Sequence, residues 1–350
     1  MKIGGKDIAN FTRPYVIAEL GSNHNGDMAL ARKLIDQARE AGCDCVKFQS
    51  WSKDTIFSKK VYRDNYFLND DYRNRKDYTL EKIVEAYSIS EGQLLEMRRY
   101  CDQVGIEFAS TPFSRQEVDF LVRDLRATFV KVASMDLNNY PFLEYIAGKG
   151  LPVMISTGFG TLSEIDQAVR TIESTGNKQI ILLHCVSVYP PDDREVNLNN
   201  IDMLRDNYPG YPVGFSDHTI GVPIPLAAVA KGASVIEKHF TLDKNMPGWD
   251  HKVSATLEEM AIIVDGAKRI TNALGSYPRR LSATELKKMP AFRRSVVAAR
   301  AIPEGKVISR EDLDFKRPGT GIEPGYLGMI IGRKARRAIP LDELLCPEDF

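Results

Sequence analysis

The sequence predicts a (β/α)8 TIM barrel of the α/β class followed by a small, mostly β C-terminal domain. Three observations carry this reading. Eight short apolar, β-branched runs recur along the chain, amphipathic helical patterns lie between most of them, and the texture changes near residue 293. A doubly wound open sheet is the rival, but it usually shows a glycine-rich phosphate fingerprint after its first strand. Here the first strand runs into ELGSNHNGD, which lacks that spacing.

The eight runs are Tyr15–Ile17, Cys45–Phe48, Ile106–Ala109, Phe129–Val132, Pro152–Ile155, Ile180–Leu183, Pro212–Phe215 and Ser234–Ile236. They are near-continuous apolar stretches, as expected of parallel strands covered on both faces. Between them stand MALARKLIDQAREAG, SEGQLLEMRRYCDQVG, RQEVDFLVRD, LSEIDQAVRTIESTG and IPLAAVAKG. Gly42, Gly105, Gly176 and Gly232 end four of these patterns, the usual helix stop. Eight such units over roughly 270 residues fit a barrel, whose usual length is about 250. Trp51 to Ser88 forms an insertion after the second strand, rich in Tyr, Asp, Asn and Arg. Such insertions form the lid or rim of a barrel's active face.

The barrel is expected over residues 1–274. GSYPRRLSATELKKMPAF, residues 275–292, reads as a connector rich in Pro and basic residues. Residues 293–350 carry short strands and turns at Pro303–Gly305, Pro318–Gly321 and Pro324–Gly325. A domain that small buries only about 60% of its unfolded surface, so it is expected to pack on a neighbour.

Composition narrows the function class. Lys plus Arg is 47 and Asp plus Glu is 47, so the formal net charge is zero. A nucleic-acid binder usually carries a basic excess, so none is expected as a partner. No apolar run approaches the roughly 20 residues of a membrane span. The opening MKIGGKDIANFTRP lacks the apolar core of a signal peptide. The five cysteines show no C-x-x-C spacing and no dense framework. A cytoplasmic protein with reduced thiols, away from any membrane, is the expectation.

In a barrel, polar residues at the C-terminal ends of the strands are the catalytic candidates. Glu19 follows the first run, and Lys47 and Gln49 end the second. Ser110 and Thr111 follow the third; Lys131, Ser134 and Asp136 mark the fourth. Ser156 and Thr157 follow the fifth, Ser187 and Tyr189 the sixth. The last two close with Ser216-Asp217-His218 and Glu237-Lys238-His239. Any one of these also reads as a solvated loop residue or a satisfied buried polar group. Lysine inside a buried strand is rarer, because an unpaired buried ammonium is costly. Lys47 and Lys131 therefore suggest an anionic ligand at the barrel mouth, against the alternative of structural ion pairs. Adjacent parallel strands lie roughly 4.8 Å apart, so His218 and His239 can converge on one metal ion. Histidine with oxygen ligands and open positions suits Mn, Mg, Zn or Fe as a Lewis acid. Hydrogen-bonded core histidine is the other reading, and it is the one expected of His184.

These segments together resemble the sialic acid synthase family, which makes N-acetylneuraminate and related nonulosonic acids such as legionaminic and pseudaminic acids. The matching motifs are VIAELGSNHNGD, AGCDCVKFQS, FASTPFS, VKVASMDLNNYP, VMISTG, LLHCVSVYP, GFSDHT and VIEKHFTLDKNMPGWDH. SVVAARAIPEGKVISREDLDFKRPG resembles the family's antifreeze-like (SAF, β-clip) domain. The resemblance runs through nearly the whole chain in order. It implies a domain-swapped homodimer that condenses phosphoenolpyruvate with an N-acyl amino sugar and water, releasing phosphate. It also implies a divalent metal, Mn2+ or Mg2+, on His218 and His239. Glu19 matches the family's catalytic carboxylate, with Glu237 beside the metal ligands. Lys47, Lys131, Ser134, Ser156 and Ser216 match positions that hold phosphoenolpyruvate, and Thr111 and Ser187 join the substrate-binding set. Gln49, Asp136, Tyr189 and Asp250 match sugar contacts. Arg317 matches a tail-domain arginine that reaches the partner's site.

Some relatives carry Asn in place of Ser187, Glu in place of Asp136 and His in place of Phe48. These departures leave N-acetylmannosamine and a di-N-acetylated 6-deoxy hexose both open as the sugar. Two alternatives to this function stand beside it. One is a phosphoenolpyruvate-dependent synthase acting on a phosphorylated sugar. The other is a non-catalytic carbohydrate-binding protein, suggested by the tail domain alone.

Overall fold

The computed structural model describes residues 1–64 and 79–350. The chain divides into two units, Met1–Gly275 and Ser276–Phe350. The first opens with a short antiparallel hairpin, β1 (Lys2–Ile3) and β2 (Lys6–Asp7). Eight parallel strands follow: β3 (Tyr15–Gly21), β4 (Cys45–Gln49), β5 (Glu107–Thr111) and β6 (Val130–Val132), then β7 (Val153–Ser156), β8 (Ile180–Cys185), β9 (Val213–Asp217) and β10 (Val235–His239). Their order is β5-β4-β3-β10-β9-β8-β7-β6, a nearly closed barrel with β5 and β6 at its two ends. Each expected apolar run is a strand, and most extend further at the C-terminal end.

The alternation of side chains decides what each strand carries. Tyr15 and Ile17, Cys45, Ala109, Phe129, Met154, Ile181, Leu183 and Val235 form one interior cluster. Ile3 and Ile8 from the hairpin region join it. The intervening residues, such as Val16, Ala18, Val46, Phe48 and Phe108, pack outward against the helices. Because both faces are apolar, polarity does not alternate along the strands, although direction does. Truncating an interior residue such as Ile17 or Met154 to Ala should cost about 2–5 kcal/mol.

The expected helices form at Met28–Glu40, Glu91–Val104, Arg115–Arg123, Leu162–Ser174 and Pro223–Ala230. Side-chain oxygens of Asp27, Ser90, Ser114 and Thr161 cap four of them. Gly105 ends its helix in the left-handed region at φ 77°, where a side chain would be strained. Helices Tyr140–Ala147 and Asn199–Asn207 complete the alternation after β6 and β8.

The second unit begins before the expected boundary. The stretch read as a connector carries a helix, Ala283–Phe292. Ser282 Oγ accepts from Glu285 N at 3.1 Å, and Glu285 Oε2 accepts from Ser282 N at 2.9 Å. The carbonyl of Pro290 then accepts from Gly319 N at 2.7 Å, tying this helix to the β part. There β11 (Ser295–Ala298) pairs antiparallel with β12 (Leu313–Lys316). Val296, Ile302, Ile308, Leu313, Ile339 and Leu345 are among the residues of its small core. Among the described residues of the whole chain, no helix is long and apolar enough to cross a membrane. All five cysteines are free.

Candidate active site

Inside the barrel each strand's inward lane turns from apolar to polar over its last residues. Ile17 gives way to Glu19, Cys45 to Lys47 and Gln49, Ala109 to Thr111, and Phe129 to Lys131. Met154 gives way to Ser156, Leu183 to Cys185, Gly214 to Ser216, and Val235 to Glu237 and His239. These polar residues line one cavity of about 270 Å³ at the C-terminal end of the barrel.

The floor is a chain of buried charges. Lys47 Nζ lies 2.6 Å from Glu19 Oε2 and donates to Thr111 Oγ1 at 2.7 Å. The same ammonium is 3.8 Å from Glu237 Oε2. Lys131 Nζ donates to Ser156 Oγ at 2.6 Å and lies 3.6 Å from Glu237 Oε1. Ser216 Oγ donates to that same oxygen at 2.9 Å. Gln49 Nε2 donates to Glu19 Oε1 at 2.8 Å. Burial pushes the Glu19 carboxyl up to about 7, helped by Glu237 and opposed by Lys47. Burial also pulls the Lys131 ammonium down, against the attraction of Glu237. Burial raises Glu237, but Lys131 and Lys47 outweigh it and hold the carboxyl below its ordinary range. Burial thus opposes the charge on Glu19 and Lys131, while their neighbours favour the charged forms of Lys47 and Glu237.

The histidines stand on the wall beside this floor. The His218 and His239 rings are 5.5 Å apart, centroid to centroid. His218 Nδ1 is 2.8 Å from the Val186 carbonyl, so Nδ1 carries a proton and Nε2 is the nitrogen left to face a ligand. His239 Nδ1 is buried with no hydrogen-bond partner among the described residues, and Asp250 Oδ2 is 3.9 Å from it. Burial, then His218 and Lys47, holds the His239 imidazole far below its ordinary range, so it is neutral. Burial opposes the charge on His218, but Cys185 and the Val186 carbonyl outweigh it and raise that imidazole above its ordinary range. Two imidazoles facing a cavity are a donor set for a divalent metal with open positions once His218 gives up its proton. Among the described residues, no group of three or more His, Cys, Asp or Glu side chains stands together as a complete site.

The rim adds aromatic and hydroxyl groups. Tyr189 stacks on His218 at 4.0 Å. Gly158 passes so close to Ser134 and Ser187 that a Cβ there would lie 2.2 Å from Ser187 Oγ. Only glycine leaves both serines facing the cavity. From the insertion after β4, Ile56, Phe57 and Val84 line the wall, as does Trp51. Residues 65–78 of that insertion lie outside the described residues.

All the expected site residues except Asp136 and Arg317 line this cavity. Asp136 lies in the short turn Ser134–Asp136, off the cavity wall, where its Oδ1 accepts from Asn139 Nδ2 at 3.1 Å. Arg317 belongs to the second unit, its guanidinium 5.0 Å from the Phe292 ring centre. Ser110, Asp217 and Lys238, also noted at strand ends, face outward by alternation. His184 is structural, its Nε2 2.6 Å from the Val196 carbonyl. Cys185 and Trp51 are cavity residues the sequence reading did not single out. Counting by twos from Leu183 and from Lys47 would have found both.

Comparison with known proteins agrees with this architecture. The NeuB family model matches residues 34–293 and the SAF domain model matches residues 293–350. The chain is 40% identical over 324 residues to the N,N'-diacetyllegionaminic acid synthase of Legionella pneumophila, covering 91% of this chain and 90% of that protein. It is 34% identical over 335 residues to human N-acetylneuraminate-9-phosphate synthase, covering 95% and 92%. A crystal structure of N-acetylneuraminic acid synthetase from Leptospira borgpetersenii, in complex with citrate, superposes with a TM-score of 0.73. It is 33% identical and covers 82% of this chain and 94% of that one.

Proposed function

The chain belongs to the NeuB family, and on that premise we propose that it condenses phosphoenolpyruvate with an N-acyl amino sugar and water to a nine-carbon 2-keto acid and phosphate. The observation that carries this reading is the buried floor on which Lys47 and Lys131 stand amid Thr111, Ser156 and Ser216. A carboxylate and a phosphate on one small substrate need such a set. Charge-assisted bonds to it are roughly twice as strong as neutral ones. Ser134 and Ser187 add hydroxyl donors from the rim.

Lys47 and Lys131 hold the phosphoenolpyruvate, and its C3 attacks the aldehyde carbon of the open-chain sugar. His218 and His239 would hold a divalent metal, with Mn2+ or Mg2+ our choice. When bound, that ion supplies Lewis-acid polarisation of the aldehyde oxygen. Glu19 orients the water that adds at C2 and takes its proton. Glu237 keeps both lysines charged. Gln49, Tyr189 and Asp250 contact the sugar, and the retreat of Asp136 from the wall argues against such a role for it. Phosphate then leaves by cleavage of its bond to C2.

As in the resemblance described above, the enzyme works as a homodimer to which Arg317 contributes. Mixing Glu19→Ala with Arg317→Ala subunits should then restore part of the activity. The decisive assay is phosphate release from phosphoenolpyruvate with a panel of free and phosphorylated N-acyl sugars, followed by product mass spectrometry. Turnover with phosphorylated sugars alone would move the reading to a sugar-phosphate synthase. No phosphate release with any sugar would overturn it.

A further inference from the structure

We infer that Trp51 is a positioning residue for the reaction: its indole N–H fixes the orientation of the Gln49 amide and through it the Glu19 carboxylate. The inference rests on the synthase reading above. The chain of contacts is short and direct. Trp51 Nε1 donates to Gln49 Oε1 at 2.9 Å, and Gln49 Nε2 donates to Glu19 Oε1 at 2.8 Å. The other carboxylate oxygen of Glu19 faces Lys47 at 2.6 Å.

A glutamine amide is nearly symmetric in shape, so packing alone does not choose between its two orientations. Chemistry does. An indole nitrogen only donates, and Glu19 only accepts in the ionised form in which it can take a proton from water. With Trp51 on one side and Glu19 on the other, only one orientation satisfies both contacts. The reverse would set N–H against N–H and oxygen against carboxylate. Trp51 is 4% exposed and packs with Leu80 and Val84, so its nitrogen is held in place. Glu19 is thereby clamped between a neutral donor and an ammonium. Losing the indole donor frees the amide to turn, and the carboxylate loses one of its two fixed contacts. Small misplacements of a reacting group cost as much as a hundredfold in rate.

Two substitutions separate this role from simple packing. Trp51→Phe keeps more bulk but has no donor. Trp51→His loses more volume but keeps a five-membered ring whose Nε2 can stand where the indole nitrogen stood. The expected result is a loss of kcat on the order of 10- to 100-fold for Trp51→Phe, with the KM for phosphoenolpyruvate nearly unchanged. Trp51→His should retain more activity than Trp51→Phe. In a Gln49→Leu background, where no amide needs orienting, Trp51→Phe should add no further loss. Wild-type activity in Trp51→Phe would overturn the inference. So would the opposite order of the two variants, or independent losses in the double mutant. A raised KM for the sugar at unchanged kcat would instead make Trp51 a direct substrate contact. No phosphate release by the wild-type enzyme would sink the synthase reading itself, and the positioning role with it.

Discussion

Lys238 and Asp217 form an ion pair 2.6 Å long with neither side chain exposed to solvent. The pair lies on the outer face of β9 and β10, whose inner face carries Ser216, Glu237 and His239. Lys238 Nζ also donates to the Thr219 carbonyl at 2.7 Å, and Asp217 Oδ1 accepts from Thr219 N at 2.8 Å. The pair thus pins the loop that carries His218. Removing one partner leaves an uncompensated buried charge, which typically costs 3–5 kcal/mol. Lys238→Met and Asp217→Asn should each lower the unfolding free energy by about that much. The double variant should recover part of it. Denaturant unfolding of the three proteins checks this, and single variants as stable as wild type would refute it.

The same alternation explains how far the sequence could be read. Eight strands in order were legible because apolar runs between glycine-terminated helices leave little else for a chain of this length. Which strand-end residues enter the site was less legible. Both faces of each strand are apolar, so nothing in the polarity marks the inward lane until its last residues. Lys47 and Lys238 look alike in sequence, yet one enters the cavity and the other the helix layer. Cys185 carries no polar signal of its own because it ends an apolar run, although it is two residues beyond the inward Leu183. The hairpin Lys2–Asp7 has strands of two residues, too short to leave a periodic signal. The helix Ala283–Phe292 was hidden by Pro290, although Ser282 and Glu285 spell a capping box.

Lys131 offers a test of the anion-binding floor. Its ammonium is held by Ser156 and Glu237 and lies beneath the cavity. Losing one preorganised charge contact typically costs on the order of 10²–10³ in rate. Lys131→Ala should show that loss in kcat/KM for phosphoenolpyruvate, with sugar binding nearly intact. An unchanged response to phosphoenolpyruvate in steady-state assays would leave Lys131 as a structural ion pair.

The two histidines make a separate prediction. His239 Nδ1 is buried without a hydrogen bond, and the neutral imidazole faces His218. His239→Ala should therefore bind less divalent metal, measured by equilibrium dialysis with Mn2+, and lose nearly all activity. Circular dichroism should show the fold retained, because the ring supports no other described contact beyond its neighbours on the wall. Mn2+ bound as tightly as by wild type would remove His239 from the metal site.

Glu19 should betray its burial in the pH dependence of stability. Burial first, and Glu237 second, raise its carboxyl to about 7 from an ordinary value of 4.5, despite the pull of Lys47. The fold therefore favours the neutral form. Such a group contributes stability that is complete below the ordinary value and is lost as the pH rises through about 7. Glu19→Gln cannot titrate and serves as the reference. In metal-free protein, the difference in Tm between wild type and Glu19→Gln should move against wild type between about pH 4.5 and about pH 7. Above that window the difference should level off, because Glu19 is then ionised in both the folded and unfolded chain. Comparing the difference, rather than either Tm, cancels most other titrating groups. A difference that stayed flat across this range would mean that Lys47 outweighs burial and holds Glu19 ionised throughout.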